Sequence, residues 1–240
     1  MIDLRLGDCL APDGLAGLPA GAVDVTLADP PFDKRVHRAA LEGGARGTGR
    51  AVRGELPFPP IDGETLARVA AELARVTRRW ILVFAAERQI ELWARALEAG
   101  GARAIRLGIA ARRNPRPQMS GDRPAPAVDF IVIAHAAGER MRWNGGGRPA
   151  RWASPVARFD PGGQLHPTQK PLALMRELVR DFTDHGELVC DPFAGSGTTA
   201  VACRELGRRF LGWELQEKFH AAAMRRLDGA REQLQLERIA

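Results

Sequence analysis

Glu187-Leu188-Val189-Cys190-Asp191-Pro192-Phe193-Ala194-Gly195-Ser196-Gly197-Thr198-Thr199 is the stretch that decides the fold. The apolar run at 187–190 reads as a strand, a glycine-bearing turn follows, and a helix opens at about 198 and runs to 206. Gly195 and Gly197 let the backbone turn sharply and approach a ligand closely. The helix start beyond them presents free N–H groups. The next strand, 209–213, ends at Glu214, about 20 residues after Gly195, where an acidic side chain can accept both hydroxyls of an adenosine ribose. A strand, turn, helix and strand in this order form one unit of a parallel sheet.

The same alternation extends over the chain. Residues 2–6 (IDLRL), 23–28 (VDVTLA), 80–84 (WILVF), 103–109 and 128–134 (VDFIVIA) read as strands. Helices are expected from Asp62 to about Thr77, over 87–98 up to Gly100-Gly101, over 171–183 and over 216–235. The fold class is therefore α/β, a doubly wound and mostly parallel sheet. The whole chain, 1–240, reads as one domain carrying a basic loop at 33–60 and a small variable region at about 110–165. Residues 33–60 and 138–165 look irregular.

A glycine turn between strand and helix also suits NAD. Here the pattern is Phe-Ala-Gly-Ser-Gly-Thr rather than GxGxxG, and Asp191 would face a pyrophosphate with the wrong charge. S-adenosylmethionine carries no phosphate; it has a sulfonium, an amino group and a carboxylate, and a protein carboxylate beside the amino group is an asset.

Asp29-Pro30-Pro31-Phe32 follows the second strand, at the end where such sheets bind ligands. The Asp29 carboxylate and the Pro30 carbonyl can each accept one N–H of a planar amine. This localises the lone pair and offsets the charge that develops during attack. Pro30 and Pro31 fix the backbone. Phe32 offers a flat face to a base, a contact worth roughly 1–3 kcal/mol. Alone, the tetrapeptide is equally a proline turn with a capping aspartate; the glycine turn and Glu214 in the same chain tip the balance toward amine methylation.

Charge agrees with an anionic partner. The chain has a formal net charge of +6 and a pI near 10.1. Lysine occurs only at 34, 170 and 218, so the surplus is arginine. Cys9, Cys190 and Cys203 lie in no ligand spacing, and they are expected as reduced, packed residues with no metal. No apolar run approaches a bilayer span and the first residues do not read as a signal peptide, so no membrane and a cytoplasmic, nucleoid-associated location are expected.

With these blocks in place, the sequence resembles the bacterial and phage amino-methyltransferases of DNA, in the permuted class whose catalytic motif precedes the cofactor motif. The resemblance rests on Gly7-Asp8 with Asp29-Pro30-Pro31-Phe32, on His166-Pro167-Thr168-Gln169-Lys170-Pro171, and on 191–198 with Glu214. It implies a seven-stranded sheet, S-adenosylmethionine as methyl donor and double-stranded DNA as partner. It implies catalytic roles for Asp29, Pro30, Pro31 and Phe32. It places Asp191, Phe193, Ala194, Gly195, Ser196, Gly197 and Thr198 around the methionine moiety, and Glu214 on the ribose. Asp8 and Cys9 fall by the adenine, with Thr168 and Lys170 over the methionine end and Asp29 within reach of the cofactor. A restriction-modification setting and a homodimer are further implications. Phe32 departs from the commoner tyrosine, and the aromatic the family often carries near Ile109 is missing.

For DNA, Arg35, Arg38, Arg46, Arg50 and Arg53 are candidate phosphate contacts. Arg112, Arg113, Asn114, Gln118, Arg123, Arg142, Trp143, Asn144, Arg148, Arg151 and Trp152 are candidates for target reading, with a short or relaxed site expected. Trp143 and Trp152 read equally well as local packing. An aspartate before Pro-Pro leans toward adenine N6 in this family, cytosine N4 being the alternative. Cytosine carbon-5 chemistry is excluded, since no cysteine follows a proline. An RNA or protein-glutamine acceptor and a non-catalytic DNA-binding role are the remaining alternatives.

Overall fold

The computed structural model describes residues 1–32, 60–115, 117–155, 165–166 and 168–239, the last nine as helix backbone only. In chain order the elements are β1 (Ile2–Leu6), β2 (Val23–Ala28), α1 (Gly63–Val76), β3 (Thr77–Ala85), α2 (Ile90–Ala99), β4 (Arg103–Arg112), β5 (Val128–His135), β6 (Arg151–Ser154), α3 (Leu172–Phe182), β7 (Leu188–Asp191), α4 (Thr198–Glu205), β8 (Arg209–Glu214) and α5 (Glu217–Ile239). The strands form one sheet in the order β1-β8-β7-β2-β3-β5-β4-β6. All neighbours are parallel except β3·β5 and β4·β5, so β5 alone runs backwards.

The expected doubly wound α/β sheet is present, but with eight strands rather than seven. The additional strand, β6, lies inside the stretch expected to be irregular. It pairs with β4, Ala110 opposite Trp152. Its register depends on Gly108, where a Cβ would stand 2.8 Å from the Trp152 ring. Four residues among glycines and prolines offer too little alternation to signal a strand; the buried Trp152, whose indole N–H donates to Asp181 at 2.8 Å, holds it in place.

β2 is buried at every position, as a central strand covered on both faces should be. One face carries Val25, Leu27, Leu82 and Phe84 against Leu174, Leu178, Phe182 and Val201 of α3 and α4. The other carries Val23, Ile81 and Val83 against Leu66, Val69, Leu73, Trp93 and Leu97 of α1 and α2. α1 starts close to the expected position, capped by the Asp62 carboxylate, which accepts the Thr65 N–H at 2.8 Å. β3 follows without a loop and is longer than read, because Thr77 is buried and its hydroxyl pairs with that of Thr26 at 2.6 Å. Asp24 accepts the Leu188 N–H at 2.8 Å and so sets the start of β7 beside β2.

Candidate active site

β2 and β7 are adjacent, with Val25 opposite Val189 and Thr26 opposite Cys190. The chain therefore leaves both strands at neighbouring points, and Asp29-Pro30-Pro31-Phe32 and the glycine turn open onto one cavity of about 450 Å³. Its wall also takes Gly7, Asp8 and Cys9 after β1, Phe84 near the end of β3, and Trp213 to Gln216 at the end of β8. These are the carboxyl ends of parallel strands, where an open sheet leaves a crevice.

The acidic groups are held by the turn itself. Glu214 accepts the Gly195 N–H at 2.9 Å on one oxygen and the Gln216 N–H at 2.8 Å on the other, and each oxygen keeps a second lone pair. Asp191 accepts the Phe193 N–H at 3.0 Å and the Thr199 hydroxyl at 2.5 Å. Asp8 accepts the Leu10 N–H at 2.9 Å.

The two glycines of the turn do different work. Gly195, at φ 54°, faces the cavity, and the nearest atom to a Cβ there would be in the His166 ring at 3.9 Å. Gly197, at φ 73°, is not in the wall; a Cβ there would meet the Ala223 Cβ at 2.9 Å. It lets α5 close on the start of α4.

The 165–171 segment bridges the two motifs. Gln169 accepts the Ser196 hydroxyl at 2.9 Å, while Lys170 Nζ donates to Asp29 Oδ1 at 2.6 Å. The ammonium also lies 4.6 Å from the centre of the Phe84 ring and 5.5 Å from that of Phe32. His166 packs edge-on to Phe219, and its Nδ1 stands 3.1 Å from the Thr168 hydroxyl.

Residues 138–225 match the family model of a DNA methylase, N6_N4_Mtase. A protein named as a methylase, YubD of Escherichia coli (strain K12), is 43% identical over 74 residues, 31% of this chain. The type II methyltransferase M2.DpnII of Streptococcus pneumoniae is 42% identical over 67 residues, 28% of this chain. Over residues 138–225 the chain is similar to the N6/N4 DNA methylases. The aligned stretches span 33% and 25% of those two relatives. Among solved structures, M1.HpyAVI in complex with its SAM ligand is 25% identical at a TM-score of 0.68, covering 95% of this chain and 99% of that one. The cytosine-N4-specific PvuII DNA methyltransferase, at 14% identity and a TM-score of 0.69 over 93% of this chain and 85% of that one, shares the fold.

The cavity brings together Asp8, Cys9, Asp29, Pro30, Pro31, Phe32, Thr168, Lys170, Asp191, Phe193, Ala194, Gly195, Ser196, Thr198 and Glu214. Of the expected cofactor residues only Gly197 stays out of the wall. Lys170, expected over the methionine end, is bonded to Asp29 within the same cavity. Sequence reasoning missed Phe84, Gln169, Trp213, Leu215, Gln216, Thr65 and Arg68, all in the wall. The position of Phe84, Trp213, Leu215 and Gln216 at the ends of strands was an available signal; Thr65 and Arg68 on α1 gave none.

The candidate DNA residues divide. Arg35, Arg38, Arg46, Arg50 and Arg53 lie outside the described residues. Arg112, Arg113, Asn114 and Arg123 lie at the crevice end of β4 or in the loop after it and are exposed, Arg112 pairing with Asp129 at 2.6 Å and Arg123 with Asp122 at 2.6 Å. Arg142, Trp143, Asn144 and Arg148 are not brought to that crevice. β5 runs backwards, so the chain after it emerges at the amino end of β3 and β7. There the Arg142 carbonyl accepts the Trp80 indole N–H at 2.6 Å, and its guanidinium meets Asp184 at 2.8 Å. Asn144 bonds the carbonyls of Arg180 and Thr183, Arg148 pairs with Asp181 at 2.8 Å, and Trp143 lies against Phe182. The four fasten this loop to the end of α3. Trp152 is core, and Arg151 begins β6.

All three cysteines are free and buried, and burial lifts the Cys9 thiol to about 12. Among the described residues no acidic, histidine or cysteine group is arranged to hold a metal ion, and no helix is long and apolar enough to cross a membrane.

Burial lifts the Asp191 carboxyl to about 7, with Asp29 and Glu214 adding to the effect. The folded state keeps that proton over a range where an unfolded carboxyl, near 3.9, has lost it. The contribution to stability is therefore complete below about pH 4 and lost as pH rises through 7. Asp191→Asn retains groups that can pair with the Phe193 N–H and the Thr199 hydroxyl. It should lose less stability than the wild type between pH 4 and 7, as measured by urea unfolding at both pH values. Parallel stability curves would refute this assignment.

Proposed function

We propose that this chain is an S-adenosylmethionine-dependent DNA methyltransferase that methylates the exocyclic amino nitrogen of a base extruded from the duplex, adenine N6. The observation that carries the reading is the single cavity shared by the Asp29-Pro30 amine acceptors and the Gly195/Glu214 turn.

The residues present fit the cofactor. Gly195 has no Cβ to fill the space, Asp191 and Glu214 suit an amino group and ribose hydroxyls, and Phe193 and Trp213 give apolar wall beside them. Ser196 and Thr198 add hydroxyls, and Asp8 and Cys9 close the far side. M1.HpyAVI was solved with SAM on the same fold, which supports the choice. When bound, the cofactor supplies an electrophilic methyl group on a sulfonium.

The protein's part is then to orient and polarise. Asp29 and the Pro30 carbonyl accept the two N–H groups of the amine, and Pro31 keeps the carbonyl aimed. Phe32 stacks on the base, and the amine, its lone pair localised, would take the methyl as its bond to the sulfonium sulfur breaks, the surplus proton passing through Asp29 to water. Desolvation in the cavity strengthens both hydrogen bonds. Extruding the base costs a few kcal/mol; contacts from Arg112, Arg113, Asn114, Arg123 and the arginines of 33–60 to the DNA would offset it. Residues 1–240 act as one catalytic unit, with target choice resting on the loop after β4.

The choice of adenine rests on Asp29 standing before Pro-Pro. Incubation of unmethylated DNA with the protein and S-adenosylmethionine, followed by digestion and mass identification of nucleosides, tests it. N6-methyladenine is expected. N4-methylcytosine would overturn the base assignment but keep the acceptor chemistry, and no modified nucleoside would overturn the reading.

A further inference from the structure

Among the described residues Lys170 is the cation that faces the proposed catalytic carboxylate, and its position is built rather than incidental. Its side chain is 11% exposed and that of Asp29 22%. The ammonium donates to Asp29 Oδ1 at 2.6 Å and sits between the Phe32 and Phe84 rings, whose faces attract a desolvated cation. Its neighbour Gln169 is tied to Ser196 of the glycine turn, so Lys170 is anchored from the cofactor side and reaches across to the amine side.

We propose that Lys170 is a positioning residue for methyl acceptance: it pins one oxygen of the Asp29 carboxylate, so that the other is presented to the incoming amine. This rests on the methyltransferase reading given above and assigns Lys170 to the acceptor half of the site instead of to the cofactor.

The charge balance explains why such a cation is needed. Asp29 has acids beside it: Asp129 from β5 and Asp191 at the end of β7. Burial and Asp129 push its carboxyl up, while Lys170 pulls it down through its charge and its hydrogen bond. Arg112, on β4, is engaged with Asp129, and His166, on the segment before α3, has its pKa lowered to about 4 by burial and by Lys170 and Lys218. An ionised carboxylate offers acceptors on both oxygens, whereas protonation turns one of them into a donor. Without Lys170, Asp29 would hold a proton to higher pH and could rotate freely.

The test compares wild type with Lys170→Met, which keeps the length and apolar stem, and Lys170→Arg, which keeps the charge. In Lys170→Met we expect kcat at pH 7 to fall at least 10-fold, with the acid limb of the kcat profile moved up by one pH unit or more. Rate should recover as pH rises, the cofactor Kd should change less than 3-fold, and Lys170→Arg should restore the limb. A uniform loss at every pH, or a raised cofactor Kd with unchanged kcat, would overturn the proposal and return Lys170 to a structural or cofactor role. A second readout does not depend on turnover: the carboxyl ¹³C resonance of Asp29, identified by its loss in Asp29→Asn, should titrate at least one pH unit higher in Lys170→Met. Coincident titrations would overturn the proposal. Absence of methylation by the wild type would instead count against the methyltransferase reading, with the ¹³C comparison still deciding the role of Lys170.

Discussion

Asp29→Ala should lower kcat for methyl transfer about 10²- to 10³-fold, the loss typical of removing one preorganised electrostatic partner of a transition state. The argument is local. The amine lone pair becomes nucleophilic only as its N–H groups are held out of the plane of the base, and Asp29 is the only charged acceptor in the Asp-Pro-Pro-Phe turn. The proposed cofactor wall is held by its own bonds, Gly195 to Glu214 and Ser196 to Gln169, so cofactor affinity should stay within about threefold of the wild type by the 1.4 kcal/mol-per-decade scale. Single-turnover kinetics with excess enzyme, alongside calorimetric titration of the cofactor, separate the two quantities. Activity within threefold of the wild type would remove Asp29 from the mechanism.

Gly197→Ala should destabilise the fold by about 2–5 kcal/mol, combining a left-handed backbone cost of roughly 1–2 kcal/mol with roughly 1–3 kcal/mol of overpacking. The substituted Cβ would meet Ala223 Cβ at 2.9 Å, and neither α4 nor α5 can withdraw without disturbing Phe219, Ala222 and Ala223, all buried. Gly195→Ala carries only the backbone part of that cost, because the space beside it is open, but its methyl would project into the cavity. The two variants should thus separate: chemical denaturation registers Gly197→Ala first, cofactor binding registers Gly195→Ala first. Equal effects of both on stability would contradict the division of labour between the two glycines.

Much of this was legible in the sequence because the decisive features are local. The start of α1 near Asp62, the apolar run of β3 and the glycine turn after β7 each declare themselves within a few residues. The Asp29 and Gly195 motifs were readable as partners because the carboxyl ends of parallel strands share a crevice. What was not legible depended on distant contacts. β6 exists because Trp152 finds the space above Gly108 and an acceptor in Asp181, more than 25 positions away. Arg142, Asn144 and Arg148 resemble base-reading residues in composition, yet they satisfy carbonyls and carboxylates at the end of α3. Lys170 and Asp29 are separated by 141 positions, and no spacing rule connects them. The separate tasks of Gly195 and Gly197 needed the position of Ala223.

The reversed strand β5 has one more consequence. Because it turns the chain around, the β4–β5 connection is a hairpin that leaves and re-enters the sheet at the crevice, with Ala111 opposite Val128 closing its base. Residues between those two can be lengthened, shortened or exchanged without shifting the register of any strand that carries Asp29 or Gly195. On the function proposed above, target choice and catalytic machinery would stand on separately replaceable parts, and a chain built this way could acquire a new recognition sequence by swapping one loop, in the manner of a cartridge, while the chemistry beside it stays as it was.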